Sequence, residues 1–291
     1  MKRICICITA LALIALFLAT GCKKKEEPEA GAPIKKGAPK VAIITGTTGF
    51  GAAGREQLLE LAKEYGVAVV ADETYGPRDT DMTVQLTKIK NAGAEALINW
   101  SIVPGQSTVI KNARQLGLAA PLYQSHGFGN IEYAKLAGEA AEGVIFPAGP
   151  LLGPEGLPDD HPQKGLLLKY KKDYESKYKE PVSTFGGHAY DALHLVVEAL
   201  KAVGDDRAKI RDYLEARKGF VGTAGVFNFS PEDHCGLDKS DFVMYVVEGG
   251  KFVPLTTEAV SSANSSTDPP PRARAPAAGN APYKVGALFA V

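Results

Sequence analysis

The chain has 291 residues, with 33 Lys+Arg balanced by 33 Asp+Glu, and it contains 31 Gly, 19 Pro and 4 Cys. This length allows one large domain or two modest ones, and it suffices to bury a hydrophobic core. A net charge of zero argues against a nucleic-acid-binding protein, because such proteins carry an excess or a stripe of basic residues.

Residues 1–21 have the features of an export signal. Lys2 and Arg3 precede an apolar run over residues 4–19, and small residues then lead to Cys22. This pattern is typical of a secretory signal, and the run is too short to be a comfortable membrane span. The segment before Cys22 resembles a bacterial lipoprotein box. We therefore expect Cys22 to carry lipid that anchors the chain to the cell membrane on its extracytoplasmic side. A plain secretory signal with an incidental cysteine is the alternative.

The middle of the chain alternates between strand and helix patterns. Residues 22–39 are rich in Lys, Glu, Pro, Ala and Gly, which predicts a flexible tether. Residues 40–45 are mostly apolar, as in a buried parallel strand. Further strands are predicted at 67–71, 96–100, 122–124 and 143–146, with helices at 51–65, 82–92, 106–116 and 131–137. This alternation indicates βαβ crossovers and an α/β fold with a doubly wound parallel sheet.

The regular alternation ends after the fifth strand. Helices are predicted at 163–178, 187–203 and 208–216. The segments 225–229 and 242–247 are predicted to form a hairpin-like pair, and a further strand is predicted at 251–255. Residues 256–282 are rich in Ser, Asn, Pro and Ala, which predicts a disordered linker. Residues 283–291 are apolar again and predict a terminal strand.

One motif suggests a bound dinucleotide. Gly49, Gly51 and Gly54 satisfy G-x-G-x-x-G between a strand and a helix, and Asp72 follows about twenty residues later. However, residues 46–48 separate the strand from the first glycine, so the turn is not the tight one that presents amides to a pyrophosphate. The Tyr-x-x-x-Lys pair of short-chain dehydrogenases is also absent. We therefore expect that these glycines let a loop and the start of a helix approach a ligand or a neighbouring strand, and that the chain binds no cofactor. An extracytoplasmic nucleotide-dependent enzyme is the alternative.

No other motif requires an enzyme. The chain lacks a Gly-x-Ser-x-Gly elbow and a Walker A sequence. None of its 5 His residues are paired at the close helical spacing of a zinc site. We therefore expect no catalytic residue and no metal site.

Several segments resemble the leucine/isoleucine/valine-binding protein family in both order and spacing. These segments are 41–44, 49–51, 56–65, 115–118, 136–144, 190–193 and 229–234. Members are substrate-binding lipoproteins of bacterial amino-acid ABC transporters, in which two α/β lobes close over the ligand. The resemblance covers residues 40–255 and implies a second lobe together with helices of an incomplete first lobe. It implies a periplasmic, lipid-anchored protein that binds branched-chain amino acids or related small carboxylates and delivers them to permease subunits.

The resemblance also implies where the ligand binds, because such ligands contact the carboxyl ends of parallel strands. The residues at these ends are Phe50, Trp100, Ser101, Ile102, Gln124, Ser125 and His126. Core packing is the alternative role for Phe50 and Trp100, and a solvated loop position is the alternative for His126.

His126 departs from the pattern of the amino-acid-binding members. They place a carboxylate there, which pairs with the ammonium group of the ligand, and an imidazole cannot supply that negative charge. Either another acid substitutes, with Asp72 and Glu73 as candidates, or the ligand is not an ordinary α-amino acid. A carboxylate with an apolar or aromatic body would suit His126 and Trp100 better.

The largest departure concerns the first lobe. In the family, most of the first lobe would precede the strand at 41–44, but here only residues 31–40 occupy that place. Residues 284–291, at the other end of the chain, resemble the opening strand of that lobe. The helices over 187–216 should then expose an apolar face. A truncated or rearranged gene, an incomplete circular permutation, and a half-receptor completed by another polypeptide are the possible explanations, and we favour the first. With half of the clamp missing, we expect weak or absent ligand binding.

Overall fold

A computed structural model describes residues 37–255 of the chain. The predicted export signal, Cys22, most of the tether, the linker and the terminal strand lie outside the described residues. The strands are β1 (Lys40–Gly46), β2 (Ala68–Tyr75), β3 (Ala96–Trp100), β4 (Leu122–Gln124), β5 (Ile145–Ala148), β6 (Phe220–Val221), β7 (Val226–Phe227), β8 (Val243–Glu248) and β9 (Lys251–Pro254). The α-helices are α1 (Gly49–Glu64), α2 (Thr83–Asn91), α3 (Gly105–Gln115), α4 (Ile131–Ala137), α5 (Lys164–Tyr178), α6 (Thr184–Val203) and α7 (Arg207–Ala216).

Most of the described strands form one sheet, in the order β2-β1-β3-β4-β5-β8-β9. The first five strands pair in parallel, whereas β8 runs antiparallel to both β5 and β9. β6 and β7 form a small separate antiparallel pair. The predicted α/β class with a mostly parallel sheet is confirmed.

Helices cover both faces of the sheet because alternate residues of each strand point in opposite directions. On β1, Ile44 packs in one core cluster with Leu86 of α2, and α3 and α4 contribute to the same cluster. Ile43 packs in a second cluster with Leu58 of α1. These four side chains are at most 1% exposed. The nearly continuous apolar sequence of β1 is therefore explained by burial on both faces.

The predicted pairing of residues 225–229 with 242–247 is wrong. β7 pairs instead with β6, and β8 joins the main sheet with Val246 opposite Ile145 of β5. A 3₁₀ turn at Lys239–Asp241 lies in the long connection between β7 and β8, which is not a tight hairpin turn. β8 instead covers the free edge of β5, where its Tyr245 and Val247 become buried.

Helix α6 has one buried face and one exposed apolar face. Gly187, Asp191 and Ala199 are its buried residues. On the opposite side, Leu193, Val196, Val197 and Leu200 are between 36% and 61% exposed. The apolar face expected on these helices is therefore exposed in the part of the chain that the structure describes.

Candidate functional site

Three aromatic rings meet at the carboxyl edge of the parallel strands. Phe50 lies in the first turn of α1, Trp100 ends β3, and His126 follows β4. The Phe50 and Trp100 rings stack with centroids 5.9 Å apart, and the His126 ring approaches them edge-on at 5.2 and 5.6 Å. We call these three residues the ring cluster. Residues predicted from three separate strand ends thus come together in space.

An apolar recess borders the ring cluster. Its volume is about 200 Å³, and Phe50 and Trp100 line it together with Ala53, Gln57 and Leu61 of α1. No charged side chain lines this recess among the described residues. The recess can therefore hold the apolar part of a small molecule and offers no charge to a polar part.

The loop after β4 holds His126 close to the other rings. His126 begins a 3₁₀ turn, and the side chain of Ser125 caps that turn by accepting a hydrogen bond from the amide of Gly127. Burial lowers the pKa of His126 to about 4, and the nearby charge of His188 lowers it in the same direction. The imidazole is therefore neutral near pH 7, with one nitrogen that can donate a hydrogen bond and one that can accept.

Three of the predicted ligand-binding residues lie below the surface. Ser101, Gln124 and Ser125 are 0% exposed. The Ser125 hydroxyl donates to the carbonyl of Ser101 at 2.9 Å, and the Ser101 hydroxyl accepts from the amide of Val103 at 3.2 Å. The expectation that these three residues contact the ligand stays a prediction. In the structure, the two serines fix the loops that carry Trp100 and His126.

Ile102 keeps a position at the edge of the site. It is partly exposed, and its carbonyl accepts a hydrogen bond from the Tyr133 hydroxyl at 3.0 Å. Its side chain packs on the turn after Ser125, since a Cβ added at Gly127 would lie 2.4 Å from Ile102 Cγ2. Ile102 therefore remains available for an apolar contact.

The two acids considered as substitutes for a carboxylate at position 126 are already paired. Arg55 of α1 donates two hydrogen bonds to Asp72, the one from Nε being 2.8 Å long. Lys88 of α2 forms an ion pair with Glu73 at 3.0 Å. Both carboxylates belong to β2 and are therefore neutralised by basic side chains of the neighbouring helices.

Two residues that the sequence did not suggest also approach the site. The Phe242 ring lies 6.1 Å from that of His126, and His188 of α6 is close enough to lower the pKa of His126. Both come from segments far along the chain, after α5. No local pattern in the sequence indicates that these segments return to the carboxyl edge of β4.

The glycine motif serves packing. A Cβ added at Gly51 would lie 1.8 Å from the carbonyl oxygen of Gly46, and one at Gly54 would lie 2.1 Å from Trp100 Nε1. Gly49 has open space around it. Because Gly46 belongs to β1, only two residues separate the strand from α1, one fewer than expected. In a dinucleotide-binding protein, Asp72 would accept a hydrogen bond from the ribose, but here it accepts one from Arg55.

Metal-ligand clusters and membrane-spanning helices are both absent from the residues that the structure describes. Among residues 37–255, no group of three or more His, Cys, Asp or Glu side chains is placed to hold a metal ion. Cys235 is exposed with a free thiol. No helix within this range has the length and apolar character needed to span a membrane.

Known proteins similar to this chain are bacterial binding proteins. The profile of the periplasmic binding protein family matches residues 24–251. A leucine-, isoleucine-, valine-, threonine- and alanine-binding protein of Pseudomonas aeruginosa is 24% identical over 241 residues, which are 82% of this chain and 61% of that protein. A Leu/Ile/Val-binding protein homolog of Brucella abortus is 24% identical over 207 residues, or 71% of this chain and 53% of that protein. The chain thus spans less than two thirds of the length of these relatives.

Solved structures of bacterial proteins share the fold of this chain. A protein of Rhodopseudomonas palustris superposes with a TM-score of 0.70 at 28% identity, over 75% of this chain and 64% of that one. A leucine-binding protein of Thermotoga maritima superposes with a TM-score of 0.66 at 22% identity, over 76% of this chain and 60% of that one, which is a likeness of fold. Because the family profile matches well over half of its residues, the chain belongs to the periplasmic binding protein family.

Proposed function

We propose that this chain is the extracytoplasmic solute-binding component of an ABC transporter and carries branched-chain amino acids or related small carboxylates to permease subunits. Its family membership supports this role, as does its similarity to the Pseudomonas aeruginosa protein that binds leucine, isoleucine, valine, threonine and alanine. The role requires no chemistry on the ligand, so we propose no enzymatic activity for the chain. The packing role of Gly51 and Gly54 removes the main support for the alternative, a nucleotide-dependent enzyme.

The observation that carries this proposal is the ring cluster at the carboxyl edge of the sheet, which borders an uncharged recess along α1. Ligands of open α/β sheets bind at this edge, in pockets that are mostly apolar and contain few polar groups. Phe50, Trp100 and Ile102 would contact the apolar body of the ligand, and His126 would supply a hydrogen bond. Ser101, Gln124 and Ser125 would support them from below.

Residues 40–255 would correspond to the second lobe together with helices that cover a first lobe in longer relatives. The exposed apolar face of α6 supports this division, since Leu193 and Leu200 lie 61% and 41% exposed on the face turned away from the buried one. A ligand held by one wall of a cleft stays largely in water, whereas full sites bury about 70–90% of a ligand. We therefore propose that this chain alone binds its ligand weakly, with a Kd on the order of 1 mM.

The sole Trp of the chain, Trp100, provides a direct binding assay. Tryptophan emission of the exported chain would be titrated to about 20 mM with leucine, valine and 4-methylpentanoate, well above the expected Kd. Saturable changes are expected, and Phe50→Ala should weaken them about tenfold by removing a stacked ring. Tyr178→Ala, at an exposed ring that ends α5, is the matched control and should leave the titration unchanged. A thermal shift with a nicotinamide cofactor but with none of these ligands would contradict the proposal.

Lipid attachment at Cys22 would hold the protein at the cell membrane through its tether. Mass spectrometry of the processed chain should show a lipid mass on an amino-terminal Cys22. Cys22→Ser should abolish that mass and release the protein in soluble form. A processed chain that begins at another residue and carries no lipid would contradict the anchor.

A further inference from the structure

The acidic side chains around the ring cluster are occupied by partners within the protein. Asp72 and Glu73 form the ion pairs described above, and both carboxylate oxygens of Asp191, on α6, accept hydrogen bonds. Its carboxylate accepts hydrogen bonds from the Thr223 amide at 2.7 Å, the Thr223 hydroxyl at 2.9 Å and the Ala224 amide at 3.0 Å. Asp191 is only 2% exposed. It stabilises a turn of the chain and cannot also receive a ligand ammonium group.

The remaining acids near the ring cluster are bonded or point away. Asp241, which precedes Phe242, accepts hydrogen bonds from the amides of Val226 at 3.2 Å and Asp238 at 2.9 Å. The acids of α1 are exposed and begin at Glu56, about 9 Å along the helix axis from Phe50. Asp79 and Asp81, in the loop after β2, accept hydrogen bonds from the amides of Gly76 and Thr83 at 2.7 and 2.8 Å. Each of these acids is thus either bonded within the protein or distant from the rings along α1.

The helices that meet at the same edge make the local potential positive. α1 begins directly before Phe50, and α3 begins shortly after Trp100. α6 begins beside the loop of His126, since the Thr184 amide donates to the carbonyl of Gly129 at 3.0 Å. The amino-terminal ends of helices attract anions and repel cations. The helix dipoles thus disfavour the binding of an ammonium group at this edge. The pairing of the nearby acids with other groups disfavours it as well.

From these contacts we infer that the ring cluster selects small carboxylates with a branched or aromatic body and no ammonium group, rather than α-amino acids. This inference rests on the proposed solute-binding function and narrows its ligand. The body would lie against Phe50 and Trp100 in the recess, and the carboxylate would face the amino-terminal helix ends and accept a hydrogen bond from His126. An ammonium group would lose its hydration without gaining an acidic partner.

Three ligands with one common side chain test this inference. Leucine carries both charged groups, 4-methylpentanoate lacks the ammonium group, and 3-methylbutylamine lacks the carboxylate. Each is titrated against the Trp100 emission of the exported chain, with calorimetry as a second readout. 4-Methylpentanoate should bind at least tenfold more tightly than leucine, and the amine should not bind. 3-Phenylpropanoate and phenylalanine provide a second matched pair and should follow the same order.

Each outcome has a definite meaning. Leucine binding as tightly as 4-methylpentanoate, or more tightly, would overturn the inferred ligand class and leave the solute-binding function standing. The absence of binding by all five ligands up to about 20 mM would overturn both the proposed function and the inference that rests on it.

Substitution of His126 gives an independent test. His126→Glu restores a carboxylate at this position and should reverse the preference, so that leucine binds better than 4-methylpentanoate. His126→Gln is the matched control, because it is neutral and similar in size, and it should keep the wild-type order. If His126→Glu does not fold, the wild-type titrations with leucine and 4-methylpentanoate still decide whether the preference exists. An unchanged preference in a folded His126→Glu variant would count against a role for this position.

Discussion

Gly54 of α1 faces the indole of Trp100 so closely that a methyl group has no room between them. A Cβ added at Gly54 would lie 2.1 Å from Nε1 and 2.2 Å from Cδ1 of Trp100. The glycine therefore sets the distance between α1 and β3, and with it the position of one ring of the site. The motif that resembles a nucleotide fingerprint thus shapes the wall of the candidate site.

The three glycines of this motif should respond differently to substitution by alanine. Gly54→Ala and Gly51→Ala should each lower the free energy of unfolding by about 1–3 kcal/mol, because the added methyl group overpacks the site. Gly49→Ala should change it by less than about 0.5 kcal/mol, because this position has open space. Urea unfolding measures all three. Equal losses at Gly49 and Gly54 would contradict the packing role.

Stability should fall in mild acid through His126. Its pKa is about 4 in the folded protein against 6.5 in the unfolded chain, so the unfolded state binds the proton more tightly. This neutral histidine contributes up to about 3 kcal/mol above pH 6.5, and the contribution is lost as the pH falls towards 4. Urea unfolding at pH 7 and at pH 5 isolates the effect from most carboxylates, which titrate lower. His126→Gln should show a smaller loss between these pH values, and an identical loss would contradict the assignment. His188, whose pKa is also lowered, should account for part of the remaining loss.

Asp191 should be important for the junction between α6 and the β6–β7 turn. Asp191→Asn removes the charge and leaves one oxygen for three donors from Thr223 and Ala224, so the free energy of unfolding should fall by about 2 kcal/mol or more. Asp205→Asn, at an exposed position, is the matched control and should have little effect. A loss of similar size in both variants would show that the buried bonds are not the cause.

The exposed apolar face of α6 should govern self-association more than folding. Replacing Leu193 and Leu200 by Gln should reduce concentration-dependent association in sedimentation experiments, since exposed apolar patches promote it. The same change should alter the free energy of unfolding by less than about 0.5 kcal/mol per residue. Ala199→Gln, at a fully buried position of the same helix, should instead destabilise the fold. Undiminished association of the double variant would exclude this face as its cause.

The local parts of the fold could be predicted from the sequence. The predicted bounds of β3 and β4 agree with Ala96–Trp100 and Leu122–Gln124, because buried parallel strands are short apolar runs between turns. The pairing of β8 could not be predicted. β8 pairs with β5 because β5 forms the free edge of the parallel part of the sheet, which is assembled from residues distant in sequence. No turn signal links the two strands.

The same distinction applies to the site. The convergence of Phe50, Trp100 and His126 could be predicted, because strand ends at one edge of a parallel sheet lie close together. Phe242 and His188 were missed because their approach depends on how later segments fold back on that edge. The burial of Gln124 was missed for a related reason: Tyr123, beside it, packs in the cluster formed with α1, so Gln124 points to the opposite face of the sheet.

The antiparallel edge of the sheet also affects the order of folding. β1 to β5 can pair successively as the chain is synthesised, whereas Ile145 and Val246 meet across about 100 residues of sequence. Until β8 is present, the edge of β5 carries open hydrogen-bonding groups that can pair with other chains. Completion of the sheet is thus a late event, and a chain that ended before Val243 would retain an aggregation-prone edge.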